Sequence, residues 1–139
     1  MRLRIQPLLI VWAAPASLIG LTLGLIGLAT GGKAQVRSGI LEFYGGFVTW
    51  VLQHAPLVGN AMAMTLGHVV IGQTSMLLDM ARRHELVHVR QYERWGPLFL
   101  PMYGIFSCWL WWHGRDPYRD NPFEREAFAS EELPPGIVG

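Results

Sequence analysis

The sequence contains a single cysteine, Cys108, which excludes an intramolecular disulfide framework and any metal site built from several thiolates. Charged residues make up only 15% of the chain, against about 25% in typical soluble domains. The net charge is +1 and no dense run of Lys and Arg occurs, so we expect no nucleic-acid partner. A bound metal would therefore be held by histidine and carboxylate side chains.

The charged residues are distributed unevenly along the 139-residue chain, which is long enough for one domain. None occurs from Ile5 to Gly32, and the stretch Leu8 to Thr30 is almost continuously apolar. Because a membrane-spanning helix needs about 20 such residues, this stretch predicts an N-terminal transmembrane helix, with residues 1–33 as the anchor and 34–139 as the domain. A cleaved signal peptide and a buried core helix are the alternatives.

Further apolar segments predict the elements of that domain. Trp95 to Gly114 is also poor in charge and rich in tryptophan, which favours an apolar helix near 97–113 lying at a membrane interface or buried in the core. Ile40 to Tyr44 and Met64 to Ile71 are rich in strand-forming residues and end at turn signals, so we expect strands there. Phe47 to His54 fits a short helix or a strand.

The segment from Met76 to Pro97 reads as one amphipathic helix. Ser75 or Asp79 is a candidate N-cap, and the Gly96-Pro97 pair predicts the end of the helix. Placing residues at 100° steps separates a charged face from an inward face. The inward face carries Ala81, His84, His88, Gln91, Tyr92 and Trp95.

This helix contains the pattern His84-Glu85-Leu86-Val87-His88, an HExxH motif. The i, i+4 spacing places both imidazoles on one face, where they can chelate one zinc ion. Glu85 points away from that ion and can accept a proton from zinc-bound water as a general base. The short pattern also occurs in helices without metal, in which case both histidines are core residues.

A catalytic zinc site usually takes a third ligand from the protein, and the candidates lie downstream. Asn121 and Pro122 predict the N-cap and first turn of another helix, which places Glu124 in its first turn. Glu124 is either a metal ligand or a capping-box residue that returns to the N–H of Asn121. Glu126 is the alternative ligand, since the two carboxylates point to different sides of the helix.

These residues together resemble a known family. His84-Glu85-Leu86-Val87-His88 followed by Glu124-Arg125-Glu126-Ala127 is similar to the gluzincin branch of the zincin metallopeptidases, in a small bacterial membrane-associated form. The resemblance implies a minimal zincin-like α+β domain in which zinc is held by His84, His88 and Glu124. Phe128 stands where those families commonly have an Asp that supports a histidine ligand.

The combined expectation is a membrane-anchored zinc metallopeptidase, single-pass in the bacterial cytoplasmic membrane, with Glu85 as catalytic base and Zn²⁺ as cofactor. Its expected partners are membrane lipid, a peptide or protein substrate and a membrane-protein complex. The alternative function is a non-catalytic zincin-like membrane assembly factor or complex subunit. His68 is either a half-buried strand residue or part of the cleft. Candidates for stabilising an oxyanion are Tyr103, His113 and Tyr118.

Overall fold

The computed structural model describes residues 7–54 and 61–131, which form an α+β fold with one four-stranded sheet. The helices are α1 (Pro7–Trp12), α2 (Ala14–Ala29), α3 (Phe47–Gln53), α4 (Ser75–Trp95), α5 (Phe99–Trp112) and α6 (Pro122–Glu131). The strands are β1 (Lys33–Arg37), β2 (Ile40–Tyr44), β3 (Ala63–Leu66) and β4 (Val69–Gly72). The predicted α+β class is confirmed.

The sheet is mixed and has the strand order β1-β2-β4-β3. β1 and β3 run antiparallel to their neighbours, whereas β2 and β4 are parallel. β2 matches the strand predicted at Ile40–Tyr44, but the single strand predicted from Met64 to Ile71 is wrong. The chain turns there at Gly67, whose φ of +66° suits glycine, so the segment forms a hairpin with β3 at the sheet edge.

The predicted N-terminal transmembrane helix is wrong, and so is the single-pass membrane localisation built on it. None of the helices in residues 7–54 and 61–131 combines the length and apolar character needed to cross a membrane. The apolar run breaks at Ala13, and Pro15 lies in the first turn of α2. The 16 residues of α2 extend for about 24 Å, less than the ~30 Å hydrocarbon core.

α2 packs against the sheet through its glycines. Gly20, Gly24 and Gly27 are buried, and a methyl group on Gly20 would lie 2.9 Å from Cβ of Val69. A methyl group on Gly24 would overlap the ring of Phe43. Leu23 packs against the core, whereas most of the other large apolar side chains of α2 face outward. These exposed residues are Leu18, Ile19, Leu21, Leu25, Ile26 and Leu28.

α4 is the long central helix. It begins one residue earlier than predicted, because the Thr74 hydroxyl, and not Ser75 or Asp79, caps it by accepting a hydrogen bond from the Leu77 N–H at 3.1 Å. It ends at Trp95, and the capping residue Gly96 that follows has a φ of +56°. The face that carries His84 and His88 is buried, as the amphipathic pattern predicts, and Glu85 beside it is buried as well.

The charged side of α4 also contacts the sheet. Arg82 makes two hydrogen bonds to the buried carboxylate of Glu42 on β2, from Nε at 3.1 Å and from Nη2 at 2.9 Å. Gln35 on β1 donates a third hydrogen bond to Glu42 at 2.8 Å. This paired, fully bonded carboxylate fixes α4 against the strands.

α5 and α6 are the last two helices of the described residues. α5 lies close to the predicted segment 97–113, and α6 begins at Pro122 as the cap signal predicts. The Asn121 side chain accepts a hydrogen bond from the Phe123 N–H at 3.0 Å and donates to Ser107 on α5 at 2.9 Å. Asn121 therefore starts α6 and joins it to α5. The undecided segment from Phe47 is a helix, α3.

Candidate metal centre

Three polar atoms from α4 and α6 converge in the interior. Oε2 of Glu124 lies 2.8 Å from Nε2 of His84 and 3.1 Å from Nε2 of His88, and the two Nε2 atoms are 3.3 Å apart. All three residues are about 95% buried. Together they form a group that could hold a metal ion.

The spacing of these atoms fits a tetrahedral ion. Metal–ligand distances of about 2.0–2.1 Å place neighbouring ligand atoms about 3.3 Å apart. The observed separations of 2.8 to 3.3 Å come close to that value, so a small outward shift of the carboxylate would admit the ion. A buried cluster of two imidazoles and one carboxylate is also a donor set that suits a first-row divalent metal.

Glu124, and not Glu126, lies beside the two histidines, and its carboxylate does not cap α6. The Glu124 carboxylate contacts the two histidines and Tyr103, while the Asn121 N–H donates to the carbonyl of Tyr118, so Glu124 does not act as a capping-box residue. Glu126 is exposed; it accepts a weak hydrogen bond from Gln91 at 3.3 Å and lies 3.8 Å from Arg94.

The second nitrogen of each histidine has its own partner. Nδ1 of His84 donates to Oε1 of Glu131 at 2.9 Å, and Nδ1 of His88 donates to Oε1 of Gln91 at 2.7 Å. Gln91 is held in turn by donating to the carbonyl of Phe123 at 2.9 Å. These contacts fix both rings with Nε2 directed towards Glu124, as ligand histidines require.

The charges of the cluster are strongly coupled. Burial disfavours the charged form of His88, but the hydrogen bond and negative charge of Glu124 outweigh it and raise the pKa of His88 to about 9. Burial also opposes ionisation of Glu124, yet its hydrogen-bond contacts with His84 and His88 lower the pKa of Glu124 to about 2. A proton on His88 therefore balances the Glu124 carboxylate at neutral pH.

Tyr103 contributes a hydroxyl to the centre from α5. It donates to Oε1 of Glu124 at 2.8 Å. Burial, and next the nearby charge of Glu124, raise the pKa of Tyr103, so the phenol stays protonated and remains a donor. The two oxygens of Glu124 thus have different partners: Tyr103 on one and the histidines on the other.

Glu85 shares a cavity with the three ligand candidates. The cavity measures about 340 Å³ and is bounded by β3, α4, α5 and α6. Oε2 of the buried Glu85 accepts a hydrogen bond from the Thr65 hydroxyl at 2.6 Å, which connects the carboxylate to β3. Volumes of this size hold small-molecule or side-chain ligands.

The remaining residues that the sequence analysis singled out lie in different places. Tyr118 lines the cavity, whereas His113 is exposed and its ring stacks on Trp109. His68 lies in the β3–β4 turn, away from the cavity lining, and pairs with Glu93 at 3.4 Å.

Glu131 and Gln91 are the hydrogen-bond partners of the two histidines, and the sequence analysis did not predict this role for them. The sequence nevertheless contained an indication for each. Glu131 lies seven residues after Glu124 and thus two turns along the same face of α6, and Gln91 belongs to the inward face of α4. Phe128 packs against His84 in an edge-to-face arrangement with a centroid distance of 4.6 Å.

No protein-family model, curated protein or solved structure matches the chain.

Proposed function

We propose that the chain is a zinc-dependent metallopeptidase of the gluzincin type, in which His84, His88 and Glu124 hold zinc and Glu85 is the general base. One observation carries the proposal: three ligand atoms within 3.3 Å of one another face a cavity that also contains the Glu85 carboxylate. Two imidazoles and a carboxylate are a common protein ligand set of catalytic zinc. Bound zinc would polarise the substrate carbonyl and lower the pKa of the attacking water.

Glu85 accepts the proton of that water and returns it to the leaving amine. Among the described residues, Thr65 is the hydrogen-bond donor to its carboxylate, and it occupies Oε2. The other oxygen, Oε1, is left to accept the proton. The hydrogen bond at 2.6 Å also holds the carboxylate in one orientation, which a general base requires.

The substrate is an extended peptide that lies along β3. This strand is at the sheet edge, pairs with β4 on one side and lines the cavity on the other, so a peptide can add to it by strand pairing. Apolar side chains such as Met64, Leu66 and Phe99 line the cavity and favour an apolar substrate residue.

Tyr118 supplies a donor to the oxyanion that forms when water attacks. It lines the cavity, and burial, followed by the nearby Glu124 charge, raises its pKa. The phenol is therefore neutral at pH 7 and able to donate. Tyr103 is excluded from this role because its hydroxyl is committed to Glu124.

The test is Glu85→Gln, with Glu126→Gln as the matched control on an exposed carboxylate. Both variants should keep zinc. Cleavage of a quenched-fluorescence peptide library should fall about 10²–10⁴-fold in Glu85→Gln, the usual contribution of a general base, and stay unchanged in Glu126→Gln. Equal activity of Glu85→Gln and wild type would contradict the role of Glu85.

A second candidate function is a non-catalytic subunit that keeps the metal as a structural element. The exposed apolar residues of α2 and of α5, such as Leu25, Ile105 and Trp111, favour it, since patches of this kind mark contact surfaces. This function predicts that wild-type protein binds zinc and cleaves no library member.

A further inference from the structure

The two carboxylate oxygens of Glu124 have different contacts. Oε2 lies between the two histidines, at 2.8 Å from His84 and 3.1 Å from His88. Oε1 points instead to α5, where it accepts the hydrogen bond from the Tyr103 hydroxyl at 2.8 Å. The carboxylate plane is thus fixed by partners on opposite sides.

Tyr103 is itself held firmly. Its ring stacks on Phe123 of α6 with an interplanar angle of 10° and packs on Phe99 with a centroid distance of 5.9 Å. Its backbone carbonyl accepts a hydrogen bond from Asn121 at 3.2 Å. Since Asn121 and Phe123 lie beside Glu124 in sequence, the donor and the carboxylate keep their relative position.

This arrangement matters because a carboxylate can bind a metal through one oxygen or through both. Two histidines and a two-oxygen carboxylate supply four ligand atoms, which closes a tetrahedral site. Two histidines and a one-oxygen carboxylate supply three, which leaves a position open for catalysis.

We propose that Tyr103 is a positioning residue that restricts Glu124 to metal binding through Oε2, and so keeps one coordination position open towards the cavity. This inference rests on the proposed metal site and adds to it the reason why that site is open. It also gives a role to the Tyr103 hydroxyl, which donates to Oε1 of Glu124.

The experiment compares wild type with Tyr103→Phe, which retains the ring packing and removes the hydroxyl. Each protein is loaded with Co²⁺ as a spectroscopic probe, and azide is titrated as a ligand for the open position while the visible bands are recorded. Tyr92→Phe is the matched control, because the Tyr92 hydroxyl donates to the carbonyl of Thr65 at 3.2 Å and not to Glu124.

We expect Tyr103→Phe to bind Co²⁺ with unchanged stoichiometry and azide at least about tenfold more weakly, a typical effect of removing a partner of a ligand. Tyr92→Phe should bind azide like wild type. Unchanged azide affinity in Tyr103→Phe, loss of its Co²⁺, or an equal change in Tyr92→Phe would each overturn the inference. Should Tyr103→Phe fail to fold, Tyr103→Met serves as the second variant, with the same expectations.

The outcomes also separate this inference from the proposed function. Wild-type protein that takes up no Co²⁺ refutes the metal site itself. Wild-type protein that binds both Co²⁺ and azide, with Tyr103→Phe indistinguishable from it, refutes only the role of Tyr103.

Discussion

Glu131 accepts a hydrogen bond from Nδ1 of His84 at 2.9 Å, from a position one helical turn beyond Phe128. Glu131 and Phe128 therefore lie on the same face of α6, next to His84. Phe128 contributes an edge contact to the same imidazole. His84 is thus oriented by a charged acceptor on one side and an aromatic ring on the other.

We predict that Glu131→Ala weakens zinc binding by about 10–100-fold, because the ring of His84 loses the acceptor that fixes its tautomer and orientation. Competition titration with a fluorescent zinc chelator measures the effect. Glu126→Ala is the control, since that exposed carboxylate of α6 contacts neither histidine. Equal weakening in both variants would show that α6 tolerates neither change and that Glu131 has no special role.

Zinc affinity should depend on pH through His88. Its pKa is raised to about 9, so below that pH the ion must displace a proton from the imidazole. The apparent affinity is therefore expected to fall about tenfold per pH unit as the pH drops below 9, and to level off above it. Calorimetry in two buffers of different ionisation enthalpy measures the proton released. Zinc binding without proton release at neutral pH would contradict this charge assignment.

We predict opposite effects for two glycine substitutions, one in α2 where it packs on the sheet and one on an open side of α5. Gly24→Ala brings a methyl group into the ring of Phe43 and should destabilise the fold by about 1–3 kcal/mol. Gly104→Ala, inside α5 with no atom within 4 Å of the new methyl group, should stabilise by about 0.5–1 kcal/mol. Urea unfolding of both variants checks this. A Gly24→Ala variant as stable as wild type would mean that α2 does not lie on the sheet as described.

Local patterns in the sequence were sufficient to predict α4 and α6, whereas the α+β class was expected from the family resemblance. Periodicity places His84 and His88 on one face, and the Asn121-Pro122 pair starts α6. The position of α2 and the choice between Glu124 and Glu126 depend on long-range packing, which local patterns do not reveal. The apolar run at residues 8–30 reads as a membrane helix because composition carries no information about which face the glycines occupy. In the structure Gly20 and Gly24 contact the sheet, and Gly27 contacts Val48 of α3. Similarly, only the crossing of α4 and α6 distinguishes Glu124 from Glu126.

The most direct test of the metal centre is the zinc content of purified wild-type protein, Glu124→Gln and Glu126→Gln, measured by inductively coupled plasma mass spectrometry after dialysis. Both substitutions exchange a carboxylate for an amide on α6, but only Glu124 lies within 3.1 Å of both histidine Nε2 atoms. We predict a single zinc ion in wild type and in Glu126→Gln, and little or none in Glu124→Gln. Full zinc content in Glu124→Gln, or loss of zinc in Glu126→Gln alone, would contradict it.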